Sequence, residues 1–219
     1  MAADFWSPVK LSIEVAFVAG IWVLILGLFF GKVMANTKFK GKPLVETVFL
    51  LPLVLPPSVV GFLLIVLFGR NSIIGQTIEW IFRQPVMFSW WAAVIASIVV
   101  AFPLMYQSVK TGFEAIDEDI ENAARVDGAN EIQLFMSISV PLALRAIISG
   151  IILSFARALG EFGATLMFAG NIPGKTQTIS TAIYVAFDTG NMEMAWLWVL
   201  SLIIISFFML ICLQLMKSK

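Results

Sequence analysis

The sequence predicts an all-α polytopic membrane protein with five transmembrane helices. Hydrophobic residues make up 60% of the 219 residues and charged residues only 13%. Soluble domains average about 45–50% apolar and about 25% charged residues. A soluble fold of this length could not bury that much apolar surface, and the same composition excludes intrinsic disorder. The number of spans then follows from the apolar stretches, because about 20 mostly apolar residues cross a bilayer.

Five stretches are long enough to span the membrane. The fourth of them carries Arg145, Arg157 and Glu161, which we expect to be buried in protein because ionisable groups are costly at membrane depth. A further apolar stretch, residues 178–187, is too short to cross. The first span is expected to stay in the mature chain, since its apolar run exceeds that of a signal peptide.

We therefore predict a single transmembrane domain over residues 1–219. Its predicted spans are residues 11–33, 46–69, 87–109, 142–170 and 192–215, and residues 110–141 form the main polar connection.

The basic residues predict the orientation. The loops are numbered by the span that each one follows. Loops one and three, counted together with Lys32 and Arg145 at the adjoining span ends, and the C-terminal tail hold nine of the 14 lysines and arginines, whereas the N-terminus and loops two and four hold four. Short cytoplasmic loops are enriched in lysine and arginine. The protein is therefore predicted to lie in the cell membrane with its N-terminus outside and its C-terminus, which carries Lys217 and Lys219, in the cytosol.

Several chemical functions find no support in the composition. The net charge is zero, which gives no indication of nucleic-acid binding. The chain has no histidine and a single cysteine, Cys212, so the commonest metal ligands and general bases are missing and no metal or catalytic site is predicted. Residues 170–176 look like a phosphate loop, but only three residues separate the two glycines where that loop requires four. We therefore predict no ATP binding by this chain.

The sequence predicts two short helices in the polar connection between the third and fourth spans. Acidic residues from Asp117 to Glu121 crowd the first turn of the first helix, where the helix dipole favours them. Gly128 suits the left-handed position that ends a helix, and a second helix runs to about Ile138. On the residues alone, this elbow is either a plain connector or a docking surface, with small Ala123 and Ala124 allowing close approach.

This connection resembles the EAA motif of ABC importer permeases. The run 122–128 is followed, after nine residues, by 138–141, and this spacing matches the motif. Asn122 stands where the family usually has glutamate, with Glu121 just before it, and Val140 replaces leucine. The resemblance implies a type I ABC importer permease fold and a coupling helix that sits in a cleft of a cytosolic ATPase. It assigns the coupling role to Glu121, Asn122, Ala123, Ala124, Asp127 and Gly128.

Three further segments resemble the molybdate branch of that family: residues 51–57, 155–165 and 170–178. The resemblance implies a permease subunit that imports molybdate, or tungstate, and is not itself an enzyme. It also implies a homodimer in the lipid bilayer, two ABC ATPase subunits that bind ATP and Mg²⁺, and an extracytoplasmic oxyanion-binding protein. No cofactor is implied for this chain.

Polar and helix-breaking residues inside the spans are candidates for the translocation pathway or its gate. Arg157 and Glu161 are spaced to share one helix face, either as an ion pair that locks the span or as a pair that biases the pathway toward a divalent oxyanion. Consecutive prolines must break or kink the second span. Tight helix packing explains the glycine as well as gating does. The candidates are Pro56, Pro57, Arg157, Glu161, Gly163 and Thr165.

Other functions remain open at this point. A sulfate or thiosulfate ABC permease subunit is the alternative within the family, because sulfate permeases are similar over residues 155–158. Molybdate, tungstate and sulfate are all tetrahedral dianions, and no residue here distinguishes them. An ion-gradient-driven transporter would be expected to show inverted repeats, which are not clear in this sequence. A scaffold would not need Arg157 and Glu161 at membrane depth, and an intramembrane enzyme would need a catalytic constellation.

Overall fold

The structure, a computed structural model, describes residues 4–217, with Met216 and Lys217 described by their backbone alone. Two of the basic residues behind the predicted orientation, Lys219 and the side chain of Lys217, thus lie outside the described part. The described chain is helical from end to end, and the all-α prediction is confirmed. Its elements are α1 (Trp6–Asn36), α2 (Lys42–Val54), α3 (Pro57–Phe68), α4 (Ile73–Phe82), α5 (Trp90–Glu114), α6 (Glu118–Val126), α7 (Glu131–Leu134), a π-helical segment (Phe135–Ser139), α8 (Val140–Leu142), α9 (Leu144–Leu159), α10 (Gly163–Ala169), α11 (Ile179–Asp188) and α12 (Met192–Lys217).

Three of these helices, α1, α5 and α12, are long and apolar enough to cross a membrane by themselves. Two bent pairs qualify only when each pair is taken together: α2 with α3, and the helical stretch Glu131–Leu142 with α9. The described residues therefore hold up to five candidate spans, the number predicted. Helix α11 has 10 residues and is too short to cross, as expected.

The centre of the bundle is the contact between α1 and α5, with α9 packed against both. Small residues of α1 recur every four positions at Ala19, Gly27 and Gly31, with Val23 between them, and all four are buried. A Cβ added to Gly31 would lie 3.0 Å from the Cβ of Val109 in α5. Small side chains on one stripe let two membrane helices approach closely.

The second predicted span, residues 46–69, is not one straight helix. Helix α2 ends at Val54 and α3 begins at Pro57, and the two helices are bent by 116°. Pro57 disfavours a helical conformation for the residue before it, and Pro56 is accordingly extended, with ψ 136°. The sequence predicts this break but not the size of the bend.

The fourth predicted span, residues 142–170, is interrupted as well. Helix α9 ends at Leu159, and the separate helix α10 begins only at Gly163. A further bend of 73°, at Ala143, separates α9 from the stretch Glu131–Leu142. The charged residues of this span therefore lie beside a helix break and not on one continuous helix.

The two interrupted spans meet at their breaks, where α10 packs on α3. A Cβ added to Gly163 would lie 2.7 Å from the Cβ of Pro57, and one added to Gly61 would lie 2.6 Å from the Cβ of Met167. The Cα of Ala164 would be only 3.1 Å from the same added atom at Gly61. Both glycines are needed because the neighbouring backbone and side chains leave no room for a methyl group.

The two ends of the bundle are closed by different contacts. At one end, the backbone N–H of Ile179 donates to Ser12 Oγ at 2.7 Å, and Trp198 Nε1 donates to the carbonyl of Phe5 at 3.0 Å. At the other end, the last turns of α1 and α5 meet α6, through Lys32 of α1. Loops one and three therefore share one end, while the N-terminal residues and loop four share the opposite end.

Replacing Gly61 by alanine should destabilise the protein by about 1–3 kcal/mol, the usual cost of overpacking a closely packed core. Gly20→Ala is the matched control, because its added Cβ would lie 3.7 Å from Phe155 Cδ2, an ordinary contact distance. The thermal unfolding midpoint of the purified protein in detergent measures both effects. Equal midpoints for the two variants would show that α3 and α10 are not packed as described.

Candidate functional site

The first candidate site is the polar elbow around α6, and its local sequence explains its shape. The Asp117 side chain caps the helix by accepting the N–H of Asp119 at 2.9 Å. At the other end, Gly128 adopts φ +93°, which confirms the predicted left-handed residue. The N–H of Gly128 donates to the Arg125 carbonyl at 3.1 Å, and that of Ala129 to the Ala124 carbonyl at 3.0 Å. This pair of bonds is the Schellman motif that ends helices.

The elbow is held in one shape by side chains on both of its arms. Asn130 and Gln133 form a reciprocal capping box that starts α7. Arg125 Nε donates to Glu131 Oε1 at 2.8 Å across the turn, and Arg125 Nη1 donates to Asn122 Oδ1 at 3.1 Å. Asn122 therefore takes part in a hydrogen bond to arginine without forming an ion pair, which Glu121 provides instead.

Glu121 points inward, away from any partner that would dock on α6. It is 9% exposed, and its Oε1 accepts from Lys32 Nζ at 2.6 Å and from Ser139 Oγ at 2.7 Å. Burial alone would raise the pKa of the Glu121 carboxyl, but the hydrogen bonds from Lys32 and Ser139 and the charges of Lys32 and Arg125 together lower that pKa. The carboxylate is therefore held in its charged form at neutral pH.

The outward face of the elbow carries the other predicted coupling residues. Asn122, Ala123, Asp127 and Gly128 are exposed and Ala124 is partly buried. Two apolar side chains that the sequence reasoning missed are also exposed: Val126 at 87% and Ile132 at 75%. Apolar side chains on an otherwise polar loop suit protein docking. Lys32, near the end of the first predicted span, was missed too, because the basic residues there were considered only for their contribution to orientation.

The second candidate site is the break between α9 and α10. Arg157 Nη1 donates to Glu161 Oε2 at 2.6 Å, and the other carboxylate oxygen of Glu161 accepts the backbone N–H of Ala164 at 2.7 Å. Glu161 is 1% exposed and lies past the end of α9, so the pair does not share one helix as the spacing predicted. Glu161 instead joins the last turn of α9 to the first turn of α10.

The remaining pathway candidates lie around this break. Pro57 packs on Gly163, so the structure brings together the breaks of two spans. Thr165 is 1% exposed, and its hydroxyl has no hydrogen-bond partner among residues 4–217. Pro56 is exposed at the bend between α2 and α3.

An apolar groove of about 530 Å³ adjoins the same break. Gly160 and Phe162 line one side, and Tyr184 of α11 and Trp196 of α12 are among the residues that complete it. Its walls are almost entirely apolar, so a divalent oxyanion would lose its hydration there without gaining enough hydrogen bonds. This groove is therefore a poor resting site for such an anion.

Comparison with known families gives one match that covers most of the chain. Residues 24–219 match the family described as binding-protein-dependent transport system inner membrane component. The match includes both candidate sites.

Relatives are similar over nearly the full length. The chain is 64% identical over 217 residues to YvgM of Bacillus subtilis (strain 168), which is named for a molybdenum transport system permease, covering 99% of this chain and 96% of the relative. It is 44% identical over 188 residues to the molybdenum transport system permease protein ModB of Escherichia coli (strain K12), covering 86% of this chain and 82% of the relative. The sulfate transport system permease protein CysT of Salmonella typhimurium is 33% identical over 192 residues, covering 84% and 69%.

Solved structures share the fold. A chain of the inward-facing MetNI methionine ABC transporter superposes with a TM-score of 0.75 at 18% identity, covering 97% of this chain and 96% of that one. A chain of a bacterial alginate ABC transporter superposes with a TM-score of 0.74 at 14% identity, covering 99% and 79%. At these identities the likeness establishes the fold alone, and the fold is that of ABC importer permease domains.

Arg157→Ala should destabilise the protein by about 3–5 kcal/mol, because it leaves the buried Glu161 carboxylate without its counter-charge. The double change Arg157→Ala with Glu161→Gln should recover most of that loss, since the amide oxygen still accepts the Ala164 N–H. Thermal unfolding in detergent measures the cycle, with the exposed Lys175→Ala as control. A double variant no more stable than Arg157→Ala would contradict the pairing.

Proposed function

Because the chain belongs to the family of binding-protein-dependent transport system inner membrane components, we propose that it forms the membrane pathway of an ATP-driven importer of molybdate. As a member of that family it is a multi-pass inner membrane protein and the permease component of an ABC transporter, with separate ATPase and binding-protein partners. One observation carries the substrate: the chain is 64% identical over 99% of its length to a relative named for molybdenum transport. Its identity to a sulfate permease is 33%.

The coupling site is the exposed face of α6 and its turn. Asn122, Ala123, Ala124, Asp127 and Gly128 contact the ATPase, and the small alanines let its cleft close on the helix. The exposure of this face and the rigidity of the elbow support this role. Glu121 lies on the buried side of α6, where it fixes this helix to the bundle.

The orientation follows from where the ATPase is. The ATPase lies in the cytosol, so the end of the bundle that bears α6 faces the cytosol. Lys32 meets Glu121 at this end, and a groove there is shared by Lys38 and Glu118. At the opposite end, Gly174 shares a groove with Asp4 and Lys10. The N-terminus then lies outside, in agreement with the distribution of basic residues.

The transporter contains two copies of this chain, and the pathway runs between them. Helix α2 is available for contact with a second copy, since it has 13 residues and none of them is buried. Its exposed apolar side chains need either lipid or protein contact in the membrane. Two such chains would each supply one coupling helix to one of two ATPase subunits.

The pathway passes the paired breaks of the second and fourth spans. Pro56, Pro57 and Gly163 place irregular backbone at membrane depth, which is tolerated only where it is buried in protein or lines a cavity. Arg157 offers hydrogen-bond donors to an oxyanion, and its charge is balanced by Glu161. A balanced pair would not trap a dianion as an isolated arginine would. Thr165 in α10 adds a buried hydroxyl after the same break.

The coupling helices and the pathway together give a transport cycle. ATP-driven closure of the ATPase dimer draws the two coupling helices together and opens the pathway to the outside, where the binding protein delivers the anion. Hydrolysis and release return the chain to the inward-open state. Discrimination among tetrahedral dianions belongs mainly to the binding protein, since the described residues of this chain offer no site built for one of them.

Uptake of labelled molybdate tests the function. Cells that lack this chain but keep its ATPase and binding protein should lose high-affinity uptake, and the restored chain should recover it. Excess tungstate should compete, whereas excess sulfate should not, because the substrate assignment rests on the molybdenum permeases. Unchanged molybdate uptake without the chain, in a strain with no other molybdate system, would refute the proposal, and competition by sulfate would favour the sulfate branch.

A bulky side chain on α6 should abolish docking. In Ala123→Trp the indole occupies the surface that the ATPase cleft must approach, and we expect at least a tenfold loss of co-purifying ATPase, about 1.4 kcal/mol or more of binding free energy. Lys40→Trp, which places the same side chain on the cytosolic end outside α6, serves as the control. Normal co-purification with Ala123→Trp would rule out α6 as the docking site.

A further inference from the structure

We propose that Lys32 is the positioning residue that ties the coupling helix to α1, so that ATPase-driven displacement of α6 moves α1 as a body. The inference rests on the proposed function and extends it to a residue outside the EAA-like motif. Lys32 touches neither substrate nor nucleotide in this account. It acts through Glu121 and Ser139.

The contacts form a closed triangle at the cytosolic end. Lys32 Nζ lies 2.6 Å from Glu121 Oε1 and 3.1 Å from Ser139 Oγ, and Ser139 Oγ donates to the same carboxylate oxygen at 2.7 Å. The Lys32 side chain is 18% exposed and that of Glu121 11%. Lys32 Nζ also lies 5.1 Å from the centre of the Phe113 ring of α5.

This triangle is the main side-chain contact between α6 and the rest of the bundle. Glu121 is the one buried residue among the nine of this helix. Arg125 joins α6 to its own turn, through its ion pair with Glu131. A force applied to the exposed face of α6 therefore reaches the membrane helices through Glu121 and the chain connections at its two ends.

Helix α1 is suited to carry that displacement across the membrane. It runs unbroken for 31 residues, in contrast to the interrupted second and fourth spans. Ser12 near its outer end accepts the backbone N–H of Ile179 in α11. The rise from Ser12 to Lys32 is about 30 Å along the helix. Movement at Lys32 is thus delivered to the outer end of the bundle.

Ser139 gives the same carboxylate a second connection. It is fully buried and ends the π-helical segment Phe135–Ser139, an irregularity that is frequent at functional sites. The chain continues from Ser139 through the 73° bend at Ala143 into α9, which carries Arg157. Glu121 therefore links the coupling helix both to α1 and to the helix that enters the candidate pathway.

A cysteine at the outer end of α1 reports the movement without any need for substrate. Glu14→Cys is built in a Cys212→Ser background, and the complex with the ATPase is labelled from outside with an impermeant maleimide, with and without ATP and vanadate. Glu14 lies about 27 Å along α1 from Lys32 and far from the ATPase. The nucleotide-dependent change in labelling rate should shrink by about threefold or more in Lys32→Met.

Matched variants separate positioning from stability. Only complexes that retain the ATPase are scored, so a weaker assembly does not imitate the effect. Ser139→Ala, which removes one arm of the triangle, should also reduce the change, whereas Lys32→Arg and the exposed Lys40→Met should keep it. The exchange of Lys32→Glu with Glu121→Lys should restore part of the change lost in Lys32→Met.

The proposal is overturned if assembled Lys32→Met and Ser139→Ala complexes keep the full nucleotide-dependent change, or if the unaltered complex shows no change at Glu14→Cys. The reporter does not use molybdate, so the result of the labelling experiment does not depend on which anion the transporter carries. If Lys32→Met loses the reporter change while the unaltered complex shows that change but does not transport molybdate, the link is upheld and the proposed substrate is refuted.

Discussion

Two helix breaks that pack on each other inside the membrane determine how the rest of this chain is arranged. Lipid offers no hydrogen bonds to a freed backbone group, so an interrupted span must find its partners within the protein. The break after α9 does so through Glu161, whose carboxylate accepts from Ala164 and from Arg157. The break after α2 packs its Pro57 on Gly163 with no space for a larger residue. The unbroken α1 and α5 provide the rigid support beside them.

Roles are also divided between neighbouring residues at the end of the bundle that bears α6. Around α6, an exposed face is the proposed docking surface for a partner and a buried carboxylate binds the bundle, so neighbouring residues 121 and 122 point in different directions. Asn122 remains outside on the elbow, and Glu121 turns in to Lys32. The acidic side chain that makes the internal contact is Glu121, one position before the usual glutamate of the motif. In the proposed function, energy from ATP enters at the end that bears α6, and α1 and α9 connect that end to the breaks proposed to line the anion pathway.

Much of this architecture could be predicted from the sequence because it depends on local chemistry. Apolar length predicts the spans, acidic residues and Gly128 predict the bounds of α6, and consecutive prolines predict the break at Pro56. The interruption at residues 160–162 was missed because apolar residues lie on both sides of Gly160 and Glu161, which were expected to lie within one span. The partner of Lys32 is 89 residues away along the chain, and no spacing rule reaches that far. The two prolines likewise predict a break between α2 and α3 but not its angle of 116°.

In the proposed function, ATP hydrolysis on a partner drives molybdate through this chain. It is tested most directly in proteoliposomes that contain the purified chain with its ATPase, supplied with the binding protein and labelled molybdate. The account predicts accumulation above the bath concentration that requires ATP hydrolysis and persists when a protonophore removes the ion gradient. Accumulation that continues without ATP, or that collapses with the protonophore, would contradict it and identify a transporter driven by an ion gradient.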